Sequence, residues 1–305
     1  MSDNSYPAFL PPHYKTVYDI DIDLRKQLAY FHDDPNRFPL LMHAHNFYEL
    51  NIIVRGHGRH YIEKKNYPAN PGDVFAIPPK IQHGYWADGD MSIFHILIES
   101  SMLEKYNNTI NRFPGFYTLF ETEPHVRKNA NNVTMFLRLG EKKLREYIPL
   151  MEHLHAIAIE TNPANCHIFE FSAMAFILEL SELIEKGFYV ETPNAKEDYL
   201  RLLITTVEYM RKNLSNNIEL NELTKISGYS RTRYLQLFKQ LFNCTPFRYL
   251  NKLRIEHALA LLRTTDFSVT FIAQSCGFFD CSHFIHVFRN TVGTTPAEYR
   301  KQNKY

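Results

Sequence analysis

The strongest constraint in this chain is that part of it repeats. Shifted by 50 positions, Ser230, Tyr234, Phe238, Asn243, Thr245, Pro246 and Tyr249 fall on Asp280, Phe284, Phe288, Gly293, Thr295, Pro296 and Tyr299. Each matched position has a physical role. Ser230 and Asp280 carry the short oxygen side chain that caps a helix N-terminus. The aromatic pairs are four residues apart, the spacing at which two side chains share one helix face. Asn243 and Gly293 suit the left-handed residue just past a helix end, and Thr-Pro opens the next helix with proline at its first position. A short helical segment and a glycine precede each unit: Glu219–Ser227 with Gly228, and Val269–Cys276 with Gly277. Short helix, glycine turn and second helix make a helix-turn-helix. The sequence predicts two of them, with second helices at Arg231–Leu241 and Cys281–Thr291, joined by one long helix over Phe247–Leu262.

Charge separates the same region from the rest. The chain has 305 residues and a net charge of +1. Residues 198–305 hold 15 Lys+Arg against 8 Asp+Glu, a net of +7, whereas residues 1–197 hold 19 against 25, a net of −6. A basic half suits a polyanionic partner. A plain helical packing module could also contain duplicated hairpins. The duplicated caps and turn glycines, the basic charge and the polar outward positions favour DNA. With the aromatic pairs inward, Arg231, Thr232, Leu235, Gln236 and Lys239 point out from the first unit, and Cys281, Ser282, Ile285, His286 and Arg289 from the second. Gln236 suits adenine, Arg231 suits guanine, and Leu235 or Ile285 suits a thymine methyl. Lys239, Arg289 and Arg248 suit phosphates.

Residues 13 to about 100 read as β-structure: short β-branched and aromatic runs (Tyr48–Val54, Arg59–Ile62, Val74–Ile77, Ile93–Ile98) between Gly-, Pro- and Asp-rich turns. The spacing predicts a small barrel or double-sheet roll. Helical periodicity then covers Lys142–Glu160 and Asn165–Lys186, with Gly187 as a helix stop and residues 188–197 as a linker. No apolar run approaches the length of a membrane span. Met1–Pro12 lacks the features of a signal peptide, and the four cysteines show no CxxC spacing. A cytoplasmic protein is expected.

Within the β-region, His43, His45 and Glu49 have one parity, which places them on one strand face, and His83 follows a later strand. Two histidines, a carboxylate and a third histidine are a divalent-metal ligand set. They also suit a sugar pocket, in which Arg55, Arg59, Tyr61, Trp86 and His95 join them, or a hydrogen-bonded interior holding no ligand.

Ile226-Ser227-Gly228-Tyr229-Ser230, Tyr234-Leu-Gln-Leu-Phe238, Leu253-Arg254, Ile272-Ala273, Cys276-Gly277-Phe278 and Thr295-Pro296-Ala-Glu-Tyr299-Arg300 resemble the DNA-binding domain of AraC/XylS-family transcription regulators. His43-Ala-His45-Asn-Phe-Tyr-Glu49 with Gly56, and Pro71-Gly72-Asp73 to Pro78 with His83, resemble the two cupin motifs, departing from the second at Lys80 and Ala87. The resemblance implies a two-domain α+β protein. Its parts are a cupin-like effector-binding barrel or jelly roll over 1–140, a helical dimerisation segment and linker over 141–197, and an all-α double helix-turn-helix domain over 198–305. It further implies an activator that is not an enzyme and requires no cofactor. The implied partners are promoter DNA, RNA polymerase, a second copy of the chain and a small-molecule effector, a sugar. A metal, if present, sits on His43, His45, Glu49 and His83. The competing reading is a cupin metalloenzyme, an oxygenase or isomerase, with an appended helical module.

Overall fold

The computed structural model of the chain describes residues 29–33, 38–110, 112–129, 137–159, 163–186 and 198–303. The β-structure expected before residue 29, the Gly187 stop and the 188–197 linker lie outside the described residues. The chain divides into two compact units, Met1–Arg127 with Asn132–Thr192, and Pro193–Tyr305 with Lys128–Asn131.

Unit 1 contains eight described strands, β1 Ala29–His32, β2 Leu40–His43, β3 Tyr48–Arg55, β4 Gly58–Ile62, β5 Lys65–Ala69, β6 Val74–Ile77, β7 His83–Ala87 and β8 Ser92–Ile98. They form two antiparallel four-stranded sheets, ordered β1-β8-β3-β6 and β2-β7-β4-β5. This is the expected double-sheet roll. Four strands were absent from the sequence reading, β1, β2, β5 and β7, because their apolar runs are short and β5 carries Pro68.

The first sheet is buried on both faces. Leu50, Ile52, Val74, Ala76, Phe94 and Ile96 face helices, whereas Ile53, Phe75, Ile77 and Ile93 face the space between the sheets. After β8 come α1 Ser100–Lys105, α2 Asn107–Ile110, α3 Pro114–Tyr117, a π-helical turn at Thr118–Thr122, and α4 Glu123–Asn129. Then α5 Glu141–Ile159 and α6 Pro163–Glu185 lay their apolar stripes on the sheet. Phe176 is central, 6.4 Å from Phe94 and 5.3 Å from Tyr147 between ring centroids.

Unit 2 is helical in its described residues: α7 Asp198–Lys212, α8 Leu220–Ser227, α9 Arg231–Phe242, α10 Pro246–Thr264, α11 Val269–Ser275, α12 Cys281–Val292 and α13 Pro296–Asn303. The repeat holds at the level of atoms. α9 and α12 each have 12 residues, capped by Ser230 accepting from the Arg233 amide and Asp280 accepting from the His283 amide. Both end on a left-handed residue, Asn243 at φ 54° and Gly293 at φ 88°. The Phe238–Tyr249 rings stand 5.7 Å apart at 78°, and their counterparts Phe288–Tyr299 stand 5.9 Å apart at 71°. The two halves differ below these pairs. The Tyr234 hydroxyl donates to Thr206 on α7 at 3.2 Å, while Phe284 packs in an apolar cluster with Ala258 and Cys276.

Arg254 ties the halves together. From α10 it donates to the carbonyls of Leu214 and Asn216 at 3.0 and 2.9 Å, and its guanidinium lies 5.8 Å from the Phe278 ring. The two turn glycines therefore differ in their surroundings. Both have positive φ, but a Cβ at Gly277 would lie 2.2 Å from the Leu214 carbonyl oxygen, and one at Gly228 would meet nothing within 4 Å. We expect Gly228→Ala to cost about 1 kcal/mol, from the left-handed backbone alone. Gly277→Ala adds steric overlap and should cost about 3 kcal/mol in all. Urea unfolding of both variants measures the difference, and equal costs would refute the close approach.

Candidate functional site

Two surfaces emerge. The first is the outward face of α9 and α12. Because Tyr234, Leu237, Phe238 and Leu241 turn inward, Arg231, Thr232, Gln236 and Lys239 are exposed and Leu235 is half-buried. On α12, Phe284 and Phe288 are inward; Ser282, Ile285, His286 and Arg289 are exposed and Cys281 is half-buried. Arg233 donates to the Gln236 side-chain oxygen at 3.2 Å, which leaves the amide nitrogen of Gln236 available. Asn290 donates to His286 Nε2 at 3.0 Å. Between the two helix-turn-helix motifs, within unit 2, lies a cleft of about 710 Å³, lined by Arg248 and Lys252 of α10 and by His286, Asn290 and Thr291 of α12. Arg233, Lys252 and Asn290 were not singled out in the sequence. The same helical count that exposes Arg231 and Gln236 also exposes Arg233.

The second surface is the interior of the roll. His43, His45, Glu49 and His83 come together, with one ligand-type atom from each lying within 4.8 Å of the others. The route differs from the expectation of one continuous strand face. β2 ends at His43, and the chain crosses from one sheet to the other before β3 starts at Tyr48, so His45 sits in the connection. Register places the rest: β7 brings His83 opposite His43, and β8 brings His95 opposite Asn51, two residues along from Glu49. Glu49 is 2 % exposed. Its Oε2 lies 3.0 Å from His45 Nε2 and 2.7 Å from His83 Nε2, and its Oε1 lies 2.6 Å from His95 Nδ1. Burial pushes the Glu49 carboxyl up, but His83 and the hydrogen bonds from His45, His83 and His95 outweigh it and hold the group well below the usual carboxylate range. With its nitrogen turned to the carboxylate, the Asn51 amide donates to Glu49 Oε1 at 3.2 Å and accepts from the Tyr85 hydroxyl at 3.1 Å.

The remaining sequence candidates lie elsewhere. Arg55, Arg59 and Trp86 are exposed and Tyr61 is half-buried, outside this cluster. Arg59 donates outward to Asn66 at 2.6 Å. Strand alternation is the reason, because one residue of slip exchanges the faces. The inward residue between Arg59 and Tyr61 is His60, and the one beside Trp86 is Tyr85; their rings stack at 3.9 Å. Tyr30 of β1 stacks on His95 at 4.6 Å. Asn51, His60 and Tyr85 were missed, although the parity of Glu49 and His83 points to Asn51 and Tyr85.

Two family profiles match the chain. One, described as an AraC-like ligand binding domain, covers residues 28–164, and the other, a helix-turn-helix domain, covers residues 223–302. The chain belongs to the AraC family. Among its relatives are HTH-type transcriptional activators named RhaR. The one from Enterobacter sp. is 26% identical over 86% of this chain and 87% of its own length, and the one from Mannheimia succiniciproducens is 28% identical over 87% and 88%. Among solved structures, a transcriptional regulator with an AraC-type DNA-binding domain from Chromobacterium violaceum is 32% identical over 36% of this chain and 96% of its own, with a TM-score of 0.33. As an AraC-family regulator the chain joins a ligand-binding domain to a helix-turn-helix one. No helix among the described residues is long and apolar enough to cross a membrane.

The imidazoles of the AraC-type ligand domain make its stability pH-dependent. Burial first, and the neighbouring His83 second, push His43 down from its ordinary 6.5 to about 4. His60 shifts in the same direction by burial. An unfolded histidine takes its proton near 6.5, so between 6.5 and about 4 the unfolded chain binds more protons and stability falls with falling pH. Thermal melting across that window should show the decline, and His43→Gln should flatten part of it. An unchanged slope in the variant would count against a neutral, half-buried His43.

Proposed function

We propose that this AraC-family protein is a sugar-responsive transcription activator that reads two adjacent major-groove segments with α9 and α12. The observation that carries the reading is the paired helix face, duplicated down to caps and aromatic contacts, with polar and basic side chains turned outward. Arg231, Thr232, Leu235, Gln236, Cys281, Ser282, Ile285 and His286 read base edges. Lys239, Arg289 and Arg248 hold phosphates, joined by Lys252 where the cleft receives the backbone between the grooves. Domains at 1–140, 141–197 and 198–305 divide the work, in the cytoplasm and together with RNA polymerase. α5 and α6 carry outward apolar residues, with Ile159 60% and Phe171 62% exposed, which suits a homodimer seam. Retardation of a promoter fragment against salt concentration tests the DNA face. Lys239→Ala and Arg289→Ala should each reduce the slope of log affinity against log salt by about 1, whereas Gln236→Ala should relax sequence preference. Failure of the parent chain to retard any promoter fragment at low salt would end the reading.

The effector site is the roll interior. Imidazoles, a carboxylate, an amide and a phenol beside aromatic rings are the mixed donors, acceptors and stacking faces that bind a sugar. His43, His45, Glu49, His83 and His95 form its polar wall, together with Asn51, His60 and Tyr85. A carbohydrate that raises the melting temperature in a concentration-dependent manner supports this. A panel without response, set beside a response to amino acids, would overturn it.

One observation favours a divalent metal at the same wall. His43, His45 and His83 each donate Nδ1–H to a main-chain carbonyl, those of Leu41, Phe47 and Ile81, at 2.8, 2.8 and 3.2 Å. With Nδ1 protonated, the Nε2 of His45 and His83 is a lone pair in the neutral ring and a donor only in imidazolium, and both face Glu49 Oε2. Lone pairs facing a carboxylate need positive charge among them. Two extra protons would place a pair of imidazolium ions in a dry interior, which is costly. A divalent cation on His43, His45, Glu49 and His83 satisfies every group, and carbonyl-anchored imidazoles are the usual support for such ligands. Bound there, it would supply a Lewis-acidic centre for effector hydroxyls. Metal analysis of the purified protein should find about one ion per chain, lost in His83→Ala. Turnover of any panel compound would instead revive the metalloenzyme alternative.

A further inference from the structure

The roll has a second polar locus, at the seam between its two sheets, which shares His60 with the wall around Glu49. β5 and β6 are the terminal strands of their sheets. Helix α4 bridges them through Arg127. Its carbonyl accepts from Lys65 Nζ at 3.1 Å and from the Tyr67 hydroxyl at 3.2 Å, both on β5. Its guanidinium donates to the Ala76 carbonyl of β6 at 2.8 Å. The guanidinium carbon lies 6.0 Å from the ring centroids of Tyr67 and Phe75, two residues that line the interior. Glu123, one helical turn earlier, lies 3.2 Å from Arg127 Nη2, and both side chains are 3% exposed.

This pair is buried but incomplete. Arg127 Nη1 and Glu123 Oε1 have no hydrogen-bond partner, Glu123 Oε2 has only its ion pair with Arg127 Nη2, and neither ring nitrogen of His60 has a hydrogen-bond partner. The His60 ring sits 4.3 Å from Phe75, so the same aromatic ring touches both groups. Unpaired buried polar atoms of this kind cost about 1–3 kcal/mol each, and native proteins keep them where something else completes them. The donor set limits what that is. A carboxylate or phosphate would meet Arg127 but be repelled by Glu123, and an ammonium would meet Glu123 but be repelled by Arg127. A hydroxyl group both donates and accepts. Two neighbouring hydroxyls satisfy a guanidinium N–H, a carboxylate oxygen and an imidazole nitrogen together, with the aromatic rings against the C–H face of the ligand.

We propose that Glu123, Arg127 and His60 form a diol-reading subsite of the ligand domain, which binds adjacent hydroxyls of a polyhydroxylated effector and discriminates among sugars by their stereochemistry. The inference rests on the carbohydrate reading above and names the residues that choose the sugar.

Thermal shift and calorimetric titration of the full chain with L-rhamnose, L-fucose, L-arabinose and D-xylose, and with single-deoxy forms of whichever binds, provide the test. Glu123→Gln, His60→Gln and Arg127→Lys are each expected to raise the half-saturating concentration about tenfold, the size of one lost charge-assisted hydrogen bond. One deoxy form should bind the parent about tenfold more weakly but cost little further in Glu123→Gln, since the partner is already gone. This cycle decides the matter even if Arg127→Lys fails to fold. Variants that bind the sugar as tightly as the parent, or a deoxy penalty that is the same in parent and variant, would overturn the subsite while leaving the sugar reading intact. No binding by the parent to any of the four sugars would overturn both.

Discussion

A carboxylate buried among imidazoles organises the first half of this protein. Glu49 belongs to β3, which is paired on both sides, with β6 and with β8, so two ladders fix its position. The histidines that meet it come from β2, from the β2–β3 connection, from β7 and from β8. Some of these belong to one sheet and some to the other. The carboxylate is therefore satisfied only when the two sheets have closed on each other, and an unsatisfied buried charge is costly enough to disfavour partly closed forms. Site and fold are thus a single cooperative object. The helices behind the first sheet contribute apolar burial, while the polar interior contributes the requirement for one particular closure.

The second half solves a different problem. A recognition surface must be polar outside and rigid inside, and short helices are marginal by themselves. Each helix-turn-helix spends its inward positions on tilted and edge-to-face aromatic rings and its ends on side-chain caps, leaving the outward positions free of structural duty. Arg254 supplies what the duplication alone does not. By gripping the carbonyls of Leu214 and Asn216 and lying over Phe278, it connects the loop before the first helix-turn-helix to the turn of the second.

What the sequence made legible follows from how local each determinant is. The double helix-turn-helix was readable almost to the residue: Arg231–Leu241 and Cys281–Thr291 against α9 at Arg231–Phe242 and α12 at Cys281–Val292. Caps, turn glycines and an i, i+4 pair all lie within a dozen residues. The roll was legible as a class, but half of its described strands were not, because a four-residue strand such as β2 is specified by its partners more than by its own pattern. The His43/His45/Glu49/His83 set was visible as a motif. Its surroundings were not: choosing Arg59 and Tyr61 over His60 is a matter of parity that strand register settles, and the parity of His83, which favours Tyr85 over Trp86, went unused. The helices between residues 100 and 129, Arg127 among them, had no clear periodic signal and are held by contacts with the sheets.

The single long helix between the two recognition units acts as a strut. α10 has 19 residues, which at 1.5 Å per residue is about 28 Å of stiff rod. Its ends are seated in both halves, and a rod of this kind neither stretches nor twists to follow its substrate. Adding or removing one base pair between two contacted segments shifts them by about 3.4 Å and rotates them by about a tenth of a helical turn relative to each other. A protein hinged at that point could adapt to such a change. On the two-groove reading proposed above, this one instead requires the duplex to bend or the target to keep its phase, so the spacing of the operator follows from the length of the connecting helix.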